Sequence, residues 1–265
     1  MNNRISDVFD ALKNKGEKAL IAFITGGDPD IETTEKLVLA MEEAGADIIE
    51  IGIPFSDPIA EGVVIQEADK RALEGGCTVD KLFDMVSRLR EKTNIPLLFM
   101  TYANPIYAYG KERFMAKCKG AGIDGVIAPD VPFEEKDEFE DECSRHDIYL
   151  ISLIAPTSGG RAERIAHRAE GFLYCVSSLG VTGVRSDINT DIAELIKQVK
   201  KVSSLPCAVG FGISTPEQAR EMAAISDGVI VGSAIVKLIA QFGKNSIEPV
   251  KSFISELKNG ISDCV

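Results

Sequence analysis

Eight short apolar runs recur along this chain, and their repetition limits the possible folds more than any other feature. Each run has the length of one buried strand. Between them lie stretches with apolar residues at helical spacing, such as Leu37, Val38 and Met41 within 31–43. The runs span residues 19–25, 46–53, 95–101, 125–128, 149–154, 172–176, 207–211 and 228–231.

Strands that alternate with helices pair in parallel through right-handed crossovers. An open doubly wound sheet is possible, but the strand count, the 265-residue length and strands apolar on both faces favour a closed (β/α)8 TIM barrel. We predict a single domain over residues 1–265, because no linker or composition shift divides the chain. The predicted helices are an extra N-terminal one at 5–15, capped by Ser6 or Asp7, then 31–43, 79–90, 133–145, 192–202, 216–224 (capped by Thr215, with Pro216 first), 234–242 and a final one at 247–257.

The net charge of −12 argues against nucleic acid or an anionic membrane as the main partner. A small anion stays compatible, since local backbone dipoles can bind one. The first residues do not resemble a signal peptide, and no apolar stretch reaches the length of a membrane span. Six scattered cysteines without a CxxC pair indicate reduced, buried thiols. We therefore expect a cytoplasmic location.

One carboxylate interrupts an apolar run. Glu50 lies between Ile49 and Ile51, where a carboxylate is costly to bury without a partner. Acid/base chemistry is a common reason for such a residue, because desolvation raises its pKa into the working range of a general acid or base. A salt-bridged structural carboxylate is the alternative. A loop follows Glu50, and a second carboxylate, Glu61, stands at its far side.

The residue types that are missing from the predicted strand ends exclude two aldolase mechanisms. A Schiff-base aldolase needs a strand lysine, and every predicted strand lacks one. A metal-dependent aldolase needs several ligands, and we expect no metal site because His146 and His167 both lie in stretches predicted to be helical. The mechanism that remains is proton transfer by carboxylates and tyrosines. The candidates are Glu50, Glu61, Asp28, Asp57, Asp130, Tyr102 and Tyr174.

Glycines cluster in the loops after the last three predicted strands. Barrels often bind phosphate after strands seven and eight, where backbone N–H groups and a helix N-terminus provide a positive field. Ser233 would cap the next helix and donate its hydroxyl. The alternative is that these glycines only form tight turns. The residues concerned are Gly183, Gly210, Gly212, Gly232 and Ser233.

Two further pairs of residues have open interpretations. Asp57 and Asp130 precede prolines and either shape turns or anchor a loop or an interface. Tyr174 and Phe211 either belong to the core or line an apolar ligand pocket.

Five motifs occur in order over most of the chain: Glu50–Pro58, Tyr102–Pro105, Pro129–Pro132, Ser177–Gly183 and Gly210–Ile213. Together they resemble the tryptophan synthase α subunit family. The resemblance implies cleavage of indole-3-glycerol phosphate to indole and glyceraldehyde 3-phosphate in tryptophan biosynthesis. This is a retro-aldol reaction without cofactor, in which the indole ring is the electron sink. It also implies an α2β2 heterotetramer with the tryptophan synthase β subunit.

The same resemblance implies a role for each matching residue. Glu50 matches the catalytic glutamate that moves protons between indole C3 and the glycerol hydroxyl. Glu61 stands where the family has an aspartate that accepts a hydrogen bond from the indole N–H. Thr182 matches a threonine of the loop that closes the site. The remaining matches are Phe23, Tyr102, Ile127, Tyr174 and Phe211 for the substrate, Gly183, Gly212, Gly232 and Ser233 for phosphate, and Asp57, Pro58, Asn104 and Pro105 for the β-subunit interface.

The chain departs from the family where Asp-Gly-Pro becomes Glu61-Gly62-Val63. The added methylene moves the carboxylate by ~1 Å, and a misplacement of that size can reduce a rate about a hundredfold. We therefore expect a slower or more partner-dependent enzyme. The alternatives are a stand-alone indole-3-glycerol phosphate lyase and a weakly catalytic allosteric subunit. A general sugar-phosphate isomerase would need a less apolar pocket.

Overall fold

The protein forms a closed barrel of eight parallel strands in sequential order. The computed structural model describes residues 3–176, 185–210 and 212–262, without the side chains of 185–190. Because the first and last strands pair with each other, the predicted barrel is confirmed and the open sheet is excluded. The strands are β1 (Ala19–Thr25), β2 (Ile48–Gly52), β3 (Leu97–Met100), β4 (Gly125–Ile127), β5 (Tyr149–Ile154), β6 (Leu173–Val176), β7 (Cys207–Gly210) and β8 (Gly228–Val231).

Strand register decides which side chains face the barrel axis. β1 pairs with both β2 and β8, so that Phe23 lies opposite Glu50 and Ala19 opposite Gly228. Alternate residues of each strand face opposite sides. One set fills the barrel, with Ile21, Ile48, Leu98, Ile127, Ile151, Ala208 and Ile230 in one buried cluster. The other set packs against the helices in a larger cluster outside the barrel.

Helices surround the barrel, and the eight predicted ones are confirmed in place. Thr215 caps its helix as predicted, since its side chain accepts from Gln218 N. The helices of the described residues are α1 (Arg4–Lys15), α2 (Ile31–Glu43), α3 (Val63–Glu74), α4 (Val79–Arg90), α5 (Ala103–Tyr109), α6 (Lys111–Ala121), α7 (Asp137–Arg145), α8 (Arg161–Arg168), α9 (Arg185–Val199), α10 (Pro216–Ala223), α11 (Ser233–Phe242) and α12 (Ile247–Ser262).

Several boundaries differ from the predictions for local reasons. Asn3 caps α1, because its Oδ1 accepts from Ile5 N at 3.0 Å, so the prediction of Ser6 or Asp7 as the cap is wrong. The predicted helix 133–145 is a 3-10 turn at Phe133–Glu135 followed by α7. Helices α3, α5 and α6 are not predicted from the sequence, and α8 only as a helical stretch around His167, without bounds.

The N-terminal helix closes one end of the barrel. Ile5, Phe9 and Leu12 of α1 belong to the same buried cluster as the inward-facing strand residues. Arg4 Nη1 and Arg90 Nη2 bind opposite oxygens of Asp124 at 2.7 and 2.8 Å. The open end is therefore the one where the strands finish, which is where barrel enzymes place their active sites.

The cysteines within the described residues (Cys77, Cys118, Cys143, Cys175 and Cys207) are free and buried. Among the described helices, none is both long and apolar enough to cross a bilayer.

Candidate active site

Glu50 is buried in the barrel without a polar partner. It lies on β2 between Phe23 of β1 and Leu98 of β3, and its side chain is fully buried. Neither carboxylate oxygen has a hydrogen-bond partner within the described residues, so the predicted acid/base carboxylate fits the structure better than a salt-bridged one. Burial raises the pKa of Glu50 to about 8. The group is therefore protonated at neutral pH, poised between donating and accepting a proton.

Tyr102 ties the loop after β2 to the end of β3. Its Oη donates to Glu61 Oε1 at 3.0 Å and accepts from Ala60 N at 3.0 Å. Glu61 is half-buried, and burial raises its pKa although the Tyr102 hydrogen bond lowers it. Tyr102 is only 4% exposed, and these hydrogen bonds join it to the loop that carries the second carboxylate.

Tyr174 stands close to both carboxylates. It lies on β6 and faces the barrel axis, stacked with Phe172 at a centroid distance of 6.4 Å. Burial raises the pKa of Tyr174, and the negative charges of Glu50 and Glu61 raise it further. Gly210 provides the space for this ring, because a Cβ there would lie 2.7 Å from Tyr174 Cε1. The site therefore groups two carboxyls and a phenol.

Apolar residues close the barrel around these groups. Phe23 fits between two glycines, since a Cβ at Gly52 or Gly232 would lie 2.8 or 3.1 Å from its ring. It packs with Ile65 of α3 and Val236 of α11. Ile127 is fully buried in the cluster that Tyr174 borders, so it supports the site from within the barrel.

The predicted phosphate residues lie at the open end of the barrel. Gly212 is exposed with a φ of +70°, and no atom lies within 4 Å of a Cβ added there. Gly232 is the N-cap of α11, whose first residue is the exposed Ser233. The prediction that Ser233 caps the helix is wrong, because the strand runs directly into the helix through Gly232. Gly183, Thr182 and Phe211 lie outside the described residues.

The predicted interface residues lie on the outer side of the same end. Asp57 and Asn104 are exposed, and Pro58 and Pro105 are half-buried. Asp130 accepts from Ala103 N at 3.0 and 3.1 Å through its two oxygens, which confirms the loop-anchoring alternative for it.

Exposed apolar side chains accompany these residues. Ile59 and Val63 are 80% and 72% exposed, and Tyr107 is 48% exposed. This end of the barrel thus presents an apolar surface next to the loop that carries Glu61.

Sequence analysis missed a further acidic residue at the site. Asp69 on α3 is only 5% exposed, and burial raises its pKa to about 7, helped by the negative charge of Glu61. Asp28, also predicted to lie at the mouth, is held by Arg71 through bonds of 2.9 and 2.7 Å. Asp69 escaped notice because α3 was not predicted, and a carboxylate on a helix ordinarily faces water.

Within the described residues, no group of His, Cys, Asp and Glu side chains is arranged to hold a metal ion. The side chains that converge at the mouth are those of a proton-transfer site with an apolar wall.

Comparison with known proteins identifies the family of this chain. The family described as "Tryptophan synthase alpha chain" matches residues 9–262. The chain belongs to this family. A tryptophan synthase alpha chain from Thermoanaerobacter sp. (strain X514) is 51% identical over 258 residues, covering 97% of this chain and 98% of the relative.

Solved structures of tryptophan synthase alpha chains share the fold. The alpha chain of Legionella pneumophila subsp. pneumophila superimposes with a TM-score of 0.90 at 36% identity, over 99% of this chain and 98% of that one. A chain of the tryptophan synthase α2β2 complex of Pyrococcus furiosus has a TM-score of 0.85 at 37% identity, over 92% of this chain and 99% of that chain.

Proposed function

We propose that this chain is the lyase subunit of tryptophan synthase. It cleaves indole-3-glycerol phosphate to indole and glyceraldehyde 3-phosphate, in the last step of tryptophan biosynthesis. The single observation that carries this proposal is Glu50, a fully buried carboxyl without polar partners in the described residues, inside an apolar barrel. Membership of the family supports the reaction. The environment of Glu50 supports an acid/base mechanism for that reaction.

Glu50 acts first as an acid and then as a base. It donates its proton to indole C3, which leaves the ring as a cation with its charge on the nitrogen. The resulting carboxylate removes the proton of the glycerol hydroxyl, the bond from C3 to the hydroxyl-bearing carbon breaks, and its electron pair returns to the ring. The products are an aldehyde and neutral indole, and Glu50 regains its proton. A pKa near the working pH suits both steps.

Glu61 stabilises the cationic ring by accepting a hydrogen bond from the indole N–H. Tyr102 already holds one Glu61 oxygen and leaves the other free for the substrate. Burial strengthens this interaction relative to water. Tyr174, Phe23 and Ile127 would form the apolar surroundings of the ring, with Phe211 beside them.

The glycerol phosphate would extend toward the glycines at the open end. Gly232 and Ser233 begin α11, whose first N–H groups point toward the mouth, and the open backbone at Gly212 leaves room for an anion. Gly183 and Thr182 would complete the phosphate site and the closing loop.

The β subunit would bind the face that carries Asp57, Pro58, Asn104 and Pro105. Ile59 and Val63, exposed beside Pro58, and Tyr107, exposed on the helix that carries Asn104 and Pro105, support this, because large exposed apolar side chains are typical of interaction surfaces. Binding there would order the loop that carries Glu61 and raise the rate. We also propose a cytoplasmic location, which the free, buried thiols support.

Replacing the acid tests the proposal. Glu50→Gln keeps the shape of the side chain but cannot transfer protons, so indole production should fall by about 10²–10⁴-fold while glycerol phosphate binding persists. Glu112→Gln, an exposed change on α6, is the matched control. Retained turnover in Glu50→Gln would refute the role of Glu50.

The two alternative functions are distinguished by adding the β subunit. A partner-dependent lyase should turn over slowly alone and faster with β. An unchanged rate would indicate a stand-alone lyase, and no cleavage in either condition would indicate an allosteric subunit.

A further inference from the structure

A cavity lies along the barrel wall at β5, under α8 and the segment that precedes α7, and the inward-facing Ile151 and Leu153 also border it. It has a volume of about 230 Å³ and is lined by residues of β5, of the segment between β4 and α7, and of α8. Leu150 and Ser152 alternate on β5 with Ile151, which belongs to the cluster inside the barrel. Their side chains therefore face the helical layer and not Glu50.

The deep part of this cavity contains an unpartnered hydroxyl. Ser152 is 7% exposed, and its Oγ has no hydrogen-bond partner within the described residues. A buried hydroxyl without a partner is unfavourable in an apolar layer. Ser152 lines the cavity. A bound polar group would supply the partner that this hydroxyl lacks.

A buried ammonium lines the same cavity. Lys136 is 4% exposed, and its Nζ donates to the backbone oxygen of Arg168 at 2.8 Å and pairs with Glu140 at 3.0 Å. An ammonium has three N–H donors, so one is left for a ligand.

The charged groups of the lining are both cations. Arg161 stands at the mouth, with its side chain 57% exposed and 3.6 Å from Glu134. Neither Glu134 nor Glu140 lines the cavity. Phe133, an apolar wall, carries the guanidinium of Arg164 at 5.5 Å from its ring. The cavity thus presents positive charge beside an apolar wall.

We propose that this cavity is a second small-molecule site, which binds an aromatic carboxylate outside the catalytic barrel. The carboxylate accepts hydrogen bonds from Ser152 Oγ and Lys136 Nζ. The ring packs against Val131, Phe133, Leu150 and Ile165, which line the same space. Arg161 attracts the anion at the mouth. This site is independent of the proposed lyase reaction.

The volume sets the size of the ligand. A protein cavity of about 150 Å³ accommodates benzene, so 230 Å³ accommodates one ring with a carboxylate attached. Benzoate is therefore the probe, and benzamide is its neutral counterpart of equal size. A ligand of this size with good contacts binds with a dissociation constant of about 1 mM.

The test is a titration of the full chain with benzoate, followed by NMR of isotope-labelled Ile and Leu methyl groups. Ile165 and Leu150 should shift on binding, and benzamide should bind at least about fivefold more weakly. Ser152→Ala should weaken benzoate binding about threefold to tenfold, without loss of fold, because it removes an unpartnered hydroxyl. Arg161→Gln should reduce the preference for benzoate over benzamide without removing it, because Lys136 Nζ still binds the carboxylate.

Two control variants test for binding elsewhere on the surface, and competition with glycerol phosphate tests for binding in the barrel. Ser144→Ala and Arg145→Gln are exposed changes on α7 and should leave benzoate affinity unchanged. Saturating glycerol phosphate should not displace benzoate. No binding at several millimolar, displacement by glycerol phosphate, or equal affinity in Ser152→Ala would each overturn the proposal. Indole production is a separate readout, so failure of the lyase assignment would leave this result intact.

Discussion

Replacing Glu50 by glutamine should stabilise the protein, and the stabilisation should grow with pH. Burial raises the pKa of this carboxyl from 4.5 to about 8. Above pH 4.5 the unfolded chain releases the proton while the folded chain retains it. The unfolded state therefore binds fewer protons, and the stability of the parent falls as pH rises until the folded group also ionises near pH 8.

The pKa difference gives the size of the effect. Each pH unit between the two pKa values is worth about 1.4 kcal/mol. From pH 5.5 to 7.5 the parent should lose about 2.7 kcal/mol relative to Glu50→Gln. For a chain of this length, that corresponds to a growth of roughly 5–10 °C in the difference between the two Tm values.

Thermal unfolding by circular dichroism at pH 5.5, 6.5 and 7.5 checks this prediction. Glu112→Gln, on the exposed face of α6, serves as the control and should follow the parent at every pH. Parallel Tm curves for the parent and Glu50→Gln would show that Glu50 is ionised or solvated in the folded chain. The acid role would then lose its physical basis.

Three further changes probe the site and its support. Glu61→Asp should leave or raise kcat, and a sharp fall would show that the longer side chain and its Tyr102 contact are required. Gly210→Ala places a Cβ 2.7 Å from the Tyr174 ring and should raise KM in the steady-state assay of indole release, with a loss of about 1–3 kcal/mol in stability. Asp124→Asn removes the charge of the buried Asp124, which pairs with the half-buried Arg90, and should lower the urea-unfolding free energy by about 3 kcal/mol.

Two of these changes, Gly210→Ala and Asp124→Asn, have a control of the same chemistry at an exposed or uncrowded position. Gly120→Ala lies in α6 with open space around the new Cβ and should be tolerated. Asp147→Asn breaks an exposed pair with Lys119 and should leave the unfolding midpoint unchanged. If Gly210→Ala changes KM and stability as little as Gly120→Ala does, then the absence of a Cβ at position 210 is not needed to make room for the Tyr174 ring. If Asp124→Asn behaves like Asp147→Asn, the barrel base does not depend on this ion pair.

The barrel and its central carboxylate could be predicted because both depend on strand patterning. Buried strands in a parallel sheet are apolar on both faces, so each produces a short continuous run. A charged residue in such a run is conspicuous, and Glu50 was found for that reason. Strand parity then places it inside the barrel, opposite Phe23.

Features that depend on tertiary contacts could not be predicted in this way. Helix α3 begins two residues after Glu61 and lies outside the helices that periodicity predicts, so its buried Asp69 is not identified from the sequence. The contact of Tyr102 with Glu61 spans 41 positions and leaves no local pattern. The cavity beside Ser152 depends on how α7 and α8 pack over β5, which periodicity does not specify.

The substitution at position 61 and the Tyr102 contact together suggest how this chain tolerates a longer carboxylate. A glutamate reaches farther than an aspartate and, with valine in place of proline at position 63, the loop has more backbone freedom. Tyr102 fixes one oxygen of Glu61, and the same hydroxyl holds the Ala60 N–H. With the role proposed for Glu61, the added methylene need not displace its second oxygen from the indole nitrogen, because a loop with this freedom can shift back while Tyr102 keeps both hydrogen bonds. On this reasoning Tyr102→Phe should impair catalysis more in this chain than in a Glu61→Asp background, and a double-mutant cycle on kcat measures that coupling directly.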